Sequence, residues 1–145
     1  MPAKASTKGM KAKASYEVKK WKEETYQQIF SSMKMTRASV EFALHGDLAG
    51  IAAVEYVMFY KSFDPNDQHK SSASYVSLMR FDGKVSGKSG SFAMQDQGSY
   101  EAGAAKSTLK IIEGSGTGEL KAIRGNATYL ADQKGATFEL DYWLG

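Results

Sequence analysis

The sequence contains no cysteine, so the protein forms no disulfide and has neither a thiol nucleophile nor a cysteine-ligated zinc site. Its two histidines, His45 and His69, are too few for a histidine-rich metal centre. No apolar run approaches the roughly 18 residues that a membrane-spanning helix needs. We therefore expect no metal, no other cofactor and no membrane partner. Any catalytic chemistry would have to use carboxylate, tyrosine or arginine side chains.

The rest of the composition is that of one globular domain. Hydrophobic residues make up 42%, aromatic residues 12% and charged residues 24% of the 145 residues, a length that can bury one core. Residues 1–13 are rich in lysine, but no apolar stretch follows them, so the sequence predicts a cytoplasmic protein rather than a secreted one. We divide the chain into a lysine-rich, flexible N-terminus over residues 1–10 and a single domain over residues 11–145.

The net charge of +3 is unevenly distributed along the chain. Residues 1–22 hold 7 lysines and one acidic residue, whereas the rest of the chain holds 12 basic and 15 acidic residues. The lysine-rich end has no arginine, and its aromatic residues are only Tyr16 and Trp21, which is not the composition of a nucleic-acid-binding surface. It is typical of a solvated end followed by an edge strand that lysines protect from aggregation. We expect no nucleic-acid partner.

Glycines and turn signals divide the chain into segments in which apolar and polar residues alternate. Such a period of two is typical of half-buried strands, and short connections between many strands indicate an all-β sandwich or barrel. About eight strands are predicted: residues 11–21, 36–44, 51–60, 75–81, 91–97, 107–113, 127–131 and 136–144. We therefore predict an all-β fold, an eight-stranded antiparallel barrel.

One segment departs from the alternating pattern. In residues 22–34 the apolar side chains recur at helical spacing, at Tyr26, Ile29, Phe30 and Met33. Acidic residues precede them, where a helix dipole favours negative charge. The sequence predicts one short amphipathic helix here, lying over a mouth or flank of the sheet.

The segment 51–60 is apolar on both faces, with Glu55 as its only charged residue. One face would meet the interior, and the other would need the helix or a second subunit to cover it. This predicts a homo-oligomer. Glu55 is either an acid, base or ligand-anchoring group in a cavity, or it forms a structural ion pair with Arg37, Arg80 or Arg124.

Two glycine-rich stretches are similar to phosphate-binding loops only in part. Gly87-Lys88-Ser89 ends like such a loop, but Asp82 stands where the loop needs its first glycine. The stretch 114–118 lacks the third glycine of a dinucleotide fingerprint and lies between predicted strands. Both are predicted to be strand corners, at which glycine permits tight bends.

Four segments, in order along the chain, carry a resemblance to a known family. They are Met35-Thr36-Arg37-Ala38-Ser39-Val40, Val54-Glu55-Tyr56-Val57-Met58, Gly87-Lys88-Ser89-Gly90-Ser91-Phe92 and Gly114-Ser115-Gly116-Thr117-Gly118-Glu119-Leu120. The chain resembles the DUF3224 family of bacterial domains of unknown function (number three-two-two-four of that series) over residues 11–144. That family is similar in fold to allene oxide cyclase, so the resemblance implies the same eight-stranded antiparallel barrel. It implies no activity and no catalytic residues.

This chain departs from the family pattern at two positions. Members often carry an acidic residue where this chain has Met79, and a histidine where it has Asp96. A polar site built on those positions would be altered or absent here.

Three functions follow as hypotheses. The first is binding of a small, largely apolar molecule in the barrel interior or mouth, since an eight-stranded barrel holds either packed side chains or one small ligand. Bulky residues could fill this interior completely: Phe42, Phe59, Met79, Phe81, Phe92 and Met94. The second is a cofactor-independent isomerase or cyclase. Glu55 would be its acid or base, and the ligand-orienting groups would be Tyr56, Tyr75, Arg80 and Gln95. The third is a structural module that assembles through its outer face.

Overall fold

A computed structural model describes residues 9–67 and 70–145. The predicted flexible terminus, apart from its last two residues, and the loop histidine His69 lie outside the described residues. Nine strands make up the fold: β1 (Met10–Phe30), β2 (Met33–Gly46), β3 (Leu48–Ser62), β4 (Ser72–Val85), β5 (Lys88–Glu101), β6 (Ala104–Ile111), β7 (Thr117–Gly118), β8 (Arg124–Asp132) and β9 (Gly135–Trp143).

Eight of these strands form one closed ring in which every pairing is antiparallel. The order is β4-β3-β2-β1-β9-β8-β6-β5, and β4 pairs with β5 to complete the ring. The two-residue strand β7 pairs only with Gly90 and Ser91 of β5. This confirms the all-β, antiparallel prediction. Closure gives most strand segments a partner on both sides, which leaves few of the exposed edges that favour aggregation.

The helix predicted over residues 22–34 is wrong. Those residues complete β1 and begin β2, and the two strands form a hairpin that turns at residues 31–32. No α-helix occurs anywhere in the described part of the chain, and no helix there could span a membrane. Register shifts leave Lys19, Tyr26 and Ile29 of β1 without a directly opposed residue on β2. Each such β-bulge adds one residue to the alternation and turns a period of two into an apparent helical spacing.

The core lies inside the ring. Along β3 the side chains alternate between buried and exposed, with Val54 and Tyr56 facing inward and Glu55 and Val57 facing outward. Five of the six bulky residues predicted to fill the interior are buried there: Phe42, Met79, Phe81, Phe92 and Met94. Phe59 instead lies on the outward face of β3 and is half-buried.

One end of the ring is filled. Phe81 and Phe92 pack with ring centroids 5.4 Å apart, and Leu48, Val85 and Leu120 are fully buried around them. The turn between β7 and β8 contributes Ile123, which is also buried. These side chains plug the interior at this end, so any cavity must lie toward the opposite end.

Candidate functional site

The opposite end of the ring is open because small residues face inward there. One row of paired positions runs across five strands and reads Tyr60, Ala73, Tyr100, Ala105 and Ala131. Alanine methyl groups leave space that leucine or phenylalanine would occupy. The result is a cavity of about 500 Å³ at the end where residues 63–65 and Ser71 meet the β1–β2 hairpin.

Half of the described residues that line the cavity are aromatic. They are Trp21, Tyr56, Tyr60, Phe63, Tyr75, Tyr100 and Tyr129. Their rings pack against one another, with Tyr56 and Tyr75 edge to face at 5.4 Å and Tyr60 and Phe63 edge to face at 5.3 Å. Trp21 lies nearly parallel to Tyr56 at 6.1 Å. Such ring pairs fix one another's orientation, so the wall is preformed.

Glu23 brings a carboxylate to this aromatic wall. Its Oε2 accepts hydrogen bonds from Thr36 Oγ1 at 2.7 Å and from Tyr60 OH at 2.8 Å, and its Oε1 accepts one from Trp21 Nε1 at 3.0 Å. Among the described residues, Glu23 takes part in no ion pair. The negative charge is therefore held in place by neutral donors and has no cationic partner within this part of the chain.

Below the alanine row lies a row of hydroxyl groups. The hydroxyls of Tyr75 and Ser107 form a short, buried hydrogen bond. Gly98 lies between them on β5, and a Cβ there would approach Ser107 Oγ to 2.6 Å and Tyr75 OH to 2.7 Å. Only glycine leaves room for this contact. Burial is the main cause that raises the pKa of Tyr75, as it does for Tyr56 and Tyr129, so these phenols stay neutral hydrogen-bonding groups.

Asp96 lies inside the ring one row further down. Its Oδ2 accepts a hydrogen bond from Ser77 Oγ at 2.8 Å, while its Oδ1 is buried and makes no hydrogen bond within the described structure. Burial raises the pKa of the Asp96 carboxyl, and the nearby hydroxyls of Ser77 and Ser107 offset only part of that shift. At the two positions that depart from the family pattern, Met79 is an apolar core residue, whereas Asp96 is polar and buried.

The predicted site residues fall on two different surfaces. Tyr56 and Tyr75 line the interior cavity. Glu55 and Gln95 line a groove of about 890 Å³ on the outside of the ring. Arg80 is also outside, where its Nη1 lies 3.7 Å from Asp82 Oδ2.

Glu55 is paired with a hydroxyl. Ser39 Oγ donates a hydrogen bond to Glu55 Oε1 at 2.8 Å, and both residues are exposed. An arginine partner for Glu55, one of the two sequence-based interpretations, is not observed among the described residues. The predicted acid–base role of Glu55 stays a prediction, and it belongs to the outer groove rather than to the cavity.

Neither Glu23 nor Asp96 was predicted to be a carboxylate that faces the interior of the ring. Glu23 fell in the segment interpreted as a helix, so its position on a strand facing the cavity was not recognised. Asp96 had a usable signal, since it alternates with Met94 on the apolar face of β5.

Nowhere in residues 9–67 and 70–145 do three His, Asp or Glu side chains gather in a metal-binding arrangement. His45 forms an exposed pair with Glu17, with 3.1 Å between Nε2 and Oε1.

Comparisons with known proteins agree with this architecture. A crystal structure of a protein of unknown function from Shewanella oneidensis MR-1, a member of the DUF3224 family, superposes with a TM-score of 0.77 at 22% sequence identity. The match covers 95% of this chain and 99% of that one, and at this identity it establishes the shared fold alone. No curated protein matches the sequence significantly. The family model described as "Protein of unknown function (DUF3224)" matches residues 12–142, so the chain belongs to the DUF3224 family.

Proposed function

We propose that the open end of the ring binds a small, largely apolar molecule without transforming it. The observation that carries this proposal is the cavity of about 500 Å³ with seven aromatic residues on its wall. Ligand sites in proteins are typically concave, about 300–1,000 Å³ in volume, mostly apolar and equipped with a few fixed polar groups. Here the fixed polar groups are the Glu23 carboxylate and the tyrosine hydroxyls.

The packing of the two ends supports a binding role over a purely structural one. Phenylalanine and methionine side chains fill the closed end, whereas alanines at positions 73, 105 and 131 leave the other end empty. An apolar molecule that enters this open cavity replaces contact between the aromatic rings and solvent with contact between two apolar surfaces. About 25 cal/mol per Å² of buried apolar surface then favours binding.

A filling substitution tests this proposal. Ala105→Phe places a ring in the cavity, whereas Ala53→Phe places the same ring on the exposed outer face of β3. We expect the neutral dye N-phenyl-1-naphthylamine to bind the wild-type protein and the A53F variant with similar affinity. We expect A105F to bind at least about tenfold more weakly, because the ring occupies the site. Equal binding by all three proteins would place the dye elsewhere and contradict the proposal.

A second proposal concerns the outer face. Four apolar side chains on the outside of β3 and β4 are exposed: Ile51, Val57, Val76 and Leu78, with Val76 at 55% and Leu78 at 58%. We propose that a second copy of the chain covers this face, as the two-sided apolar pattern of segment 51–60 predicts. In analytical ultracentrifugation, wild-type protein should sediment as a dimer or larger at micromolar concentration, and Val76→Lys with Leu78→Lys as a monomer. A monomeric wild-type protein would contradict this proposal.

A further inference from the structure

We infer that the preferred ligand of the interior cavity is an organic cation with a flat apolar body, such as a substituted ammonium. This inference rests on the proposed binding function and names its ligand class. It is carried by the Glu23 carboxylate and the aromatic rings that share one wall.

The charged side chains among the described residues that line the cavity are all acidic. Its described lining residues include two carboxylates, Glu23 and Asp64, and no lysine, arginine or histidine. The Asp64 carboxylate is engaged in its own loop, where Oδ1 accepts hydrogen bonds from the backbone nitrogens of Asn66 at 2.9 Å and Asp67 at 3.2 Å. Glu23 is thus the charged group that is turned to the cavity and lacks an ionic partner among the described residues. An entering cation would supply that partner, whereas an anion would be repelled.

The rings around Glu23 add to the same preference. The faces of tryptophan and tyrosine attract cations, and the attraction strengthens when water is excluded. Trp21 and Tyr60 both donate hydrogen bonds to Glu23, so their rings flank the carboxylate. A cation beside Glu23 would therefore lie close to the rings of Trp21 and Tyr60 as well as to a negative charge.

A contact between a cation and aromatic rings already occurs at the rim of the cavity. The Lys34 ammonium lies 3.5 Å from the centre of the Phe63 ring and 5.4 Å from that of the Tyr60 ring. Phe63 and Tyr60 are cavity-lining residues. A side-chain cation thus already lies against two rings of this aromatic wall, and Trp21 brings a further ring next to Glu23.

Two probes of equal shape and different charge test the inference. Phenyltrimethylammonium and tert-butylbenzene differ only in a positively charged nitrogen in place of a carbon atom. Binding of each to the full chain can be followed by isothermal titration calorimetry, with benzenesulfonate as the anionic counterpart. We expect the cation to bind at least about tenfold more tightly than the neutral probe, and the anion to bind most weakly.

Two neighbouring variants identify the source of the preference. Glu23→Gln keeps an oxygen that accepts hydrogen bonds from Thr36 and Tyr60 but removes the charge, and Glu24→Gln removes an exposed charge beside it. E23Q should lose most of the preference for the cation over tert-butylbenzene, and E24Q should keep it. The wild-type comparison of the two probes stands even if a variant does not fold.

The possible failures are distinguishable. Equal or tighter binding of tert-butylbenzene by the wild-type protein overturns the cation preference and leaves the apolar-ligand function supported. An equal loss of preference in E23Q and E24Q overturns the assignment to Glu23. Binding of none of the three probes overturns the proposed function and this inference together.

Discussion

Asp96 is a carboxyl group in the interior of the ring, 6% exposed, with one oxygen that has no hydrogen-bond donor in the described structure. Burial without full pairing disfavours the ionised form, so the folded protein binds a proton at this site more tightly than the unfolded chain does. Between the ordinary pKa of an aspartate, about 3.9, and the raised pKa of Asp96, folding is therefore weakened as the pH rises. Below about pH 4 both states are protonated, and this cost disappears.

Asp96→Asn should consequently stabilise the protein at neutral pH. The amide has the same shape, can still accept the hydrogen bond from Ser77 and carries no charge, so we expect a gain of about 1 kcal/mol or more in the free energy of unfolding at pH 7. The gain should shrink as the pH falls toward 4. Urea denaturation of the variant and the wild type at several pH values measures this difference in the free energy of unfolding. A variant that is less stable than wild type at pH 7 would show that the ionised carboxylate contributes to folding.

Gly98 gives a second residue-scale prediction. A Cβ at this position would approach the hydroxyls of Tyr75 and Ser107 and would also come within 2.3 Å of the backbone oxygen of Lys106. Because this last contact is with backbone, neither β5 nor β6 can relax easily. We expect Gly98→Ala to cost about 1–3 kcal/mol in the free energy of unfolding. Gly9→Ala is the matched control, since its Cβ would meet Trp143 at an ordinary 3.5 Å. Equal stability of both variants would contradict the close packing of Tyr75 against Ser107.

At the scale of single elements, the β1–β2 hairpin differs most from expectation. The apolar side chains of residues 22–34, at the tip of this hairpin, are exposed to solvent, with Phe30 at 75% exposure. Strand β1 pairs with β9 only over Met10–Ser15, so the remaining residues pair on one side with β2 alone. A packed amphipathic helix would have buried these same side chains.

Two matched truncations distinguish an exposed hairpin from a packed helix in residues 22–34. Phe30→Ala should change the free energy of unfolding by no more than about 0.5 kcal/mol, because the side chain is exposed. Phe92→Ala, which removes a buried ring of the same size, should cost about 3–5 kcal/mol. Chemical denaturation of both variants is the measurement. A cost for F30A approaching that of F92A would mean that the hairpin tip is packed in solution.

The strands with unbroken alternation were predictable. β3 and β4 pair without a register shift from Leu48 through Tyr60, and their inward and outward faces follow directly from the period of two. The hairpin was not predictable in the same way, because a bulge is decided by the partner strand and by the closure of the ring. Neither of these can be inferred from local spacing.

At the scale of the whole molecule, the ring is filled at one end and hollow at the other. The alternation of apolar and polar residues predicted an all-β fold and the set of bulky residues, but the position of the cavity depends on which residues share a row across different strands. Ala73 and Ala105 are 32 positions apart, and both pair with Tyr100. Glu23 and Tyr60 likewise lie on strands β1 and β3, which are separated by β2, and they meet across it. The likeness to allene oxide cyclase stays a prediction.

The most direct test of the account is a crystal structure of the protein soaked with 1-bromonaphthalene, a small apolar molecule that anomalous scattering can locate. The account predicts a bromine peak inside the open end of the ring, among Tyr56, Tyr75 and Tyr129. It also predicts unchanged packing at the end plugged by Phe81 and Phe92. A peak confined to the outer face, or a cavity already filled by the side chains of Tyr60 and Tyr100, would contradict it.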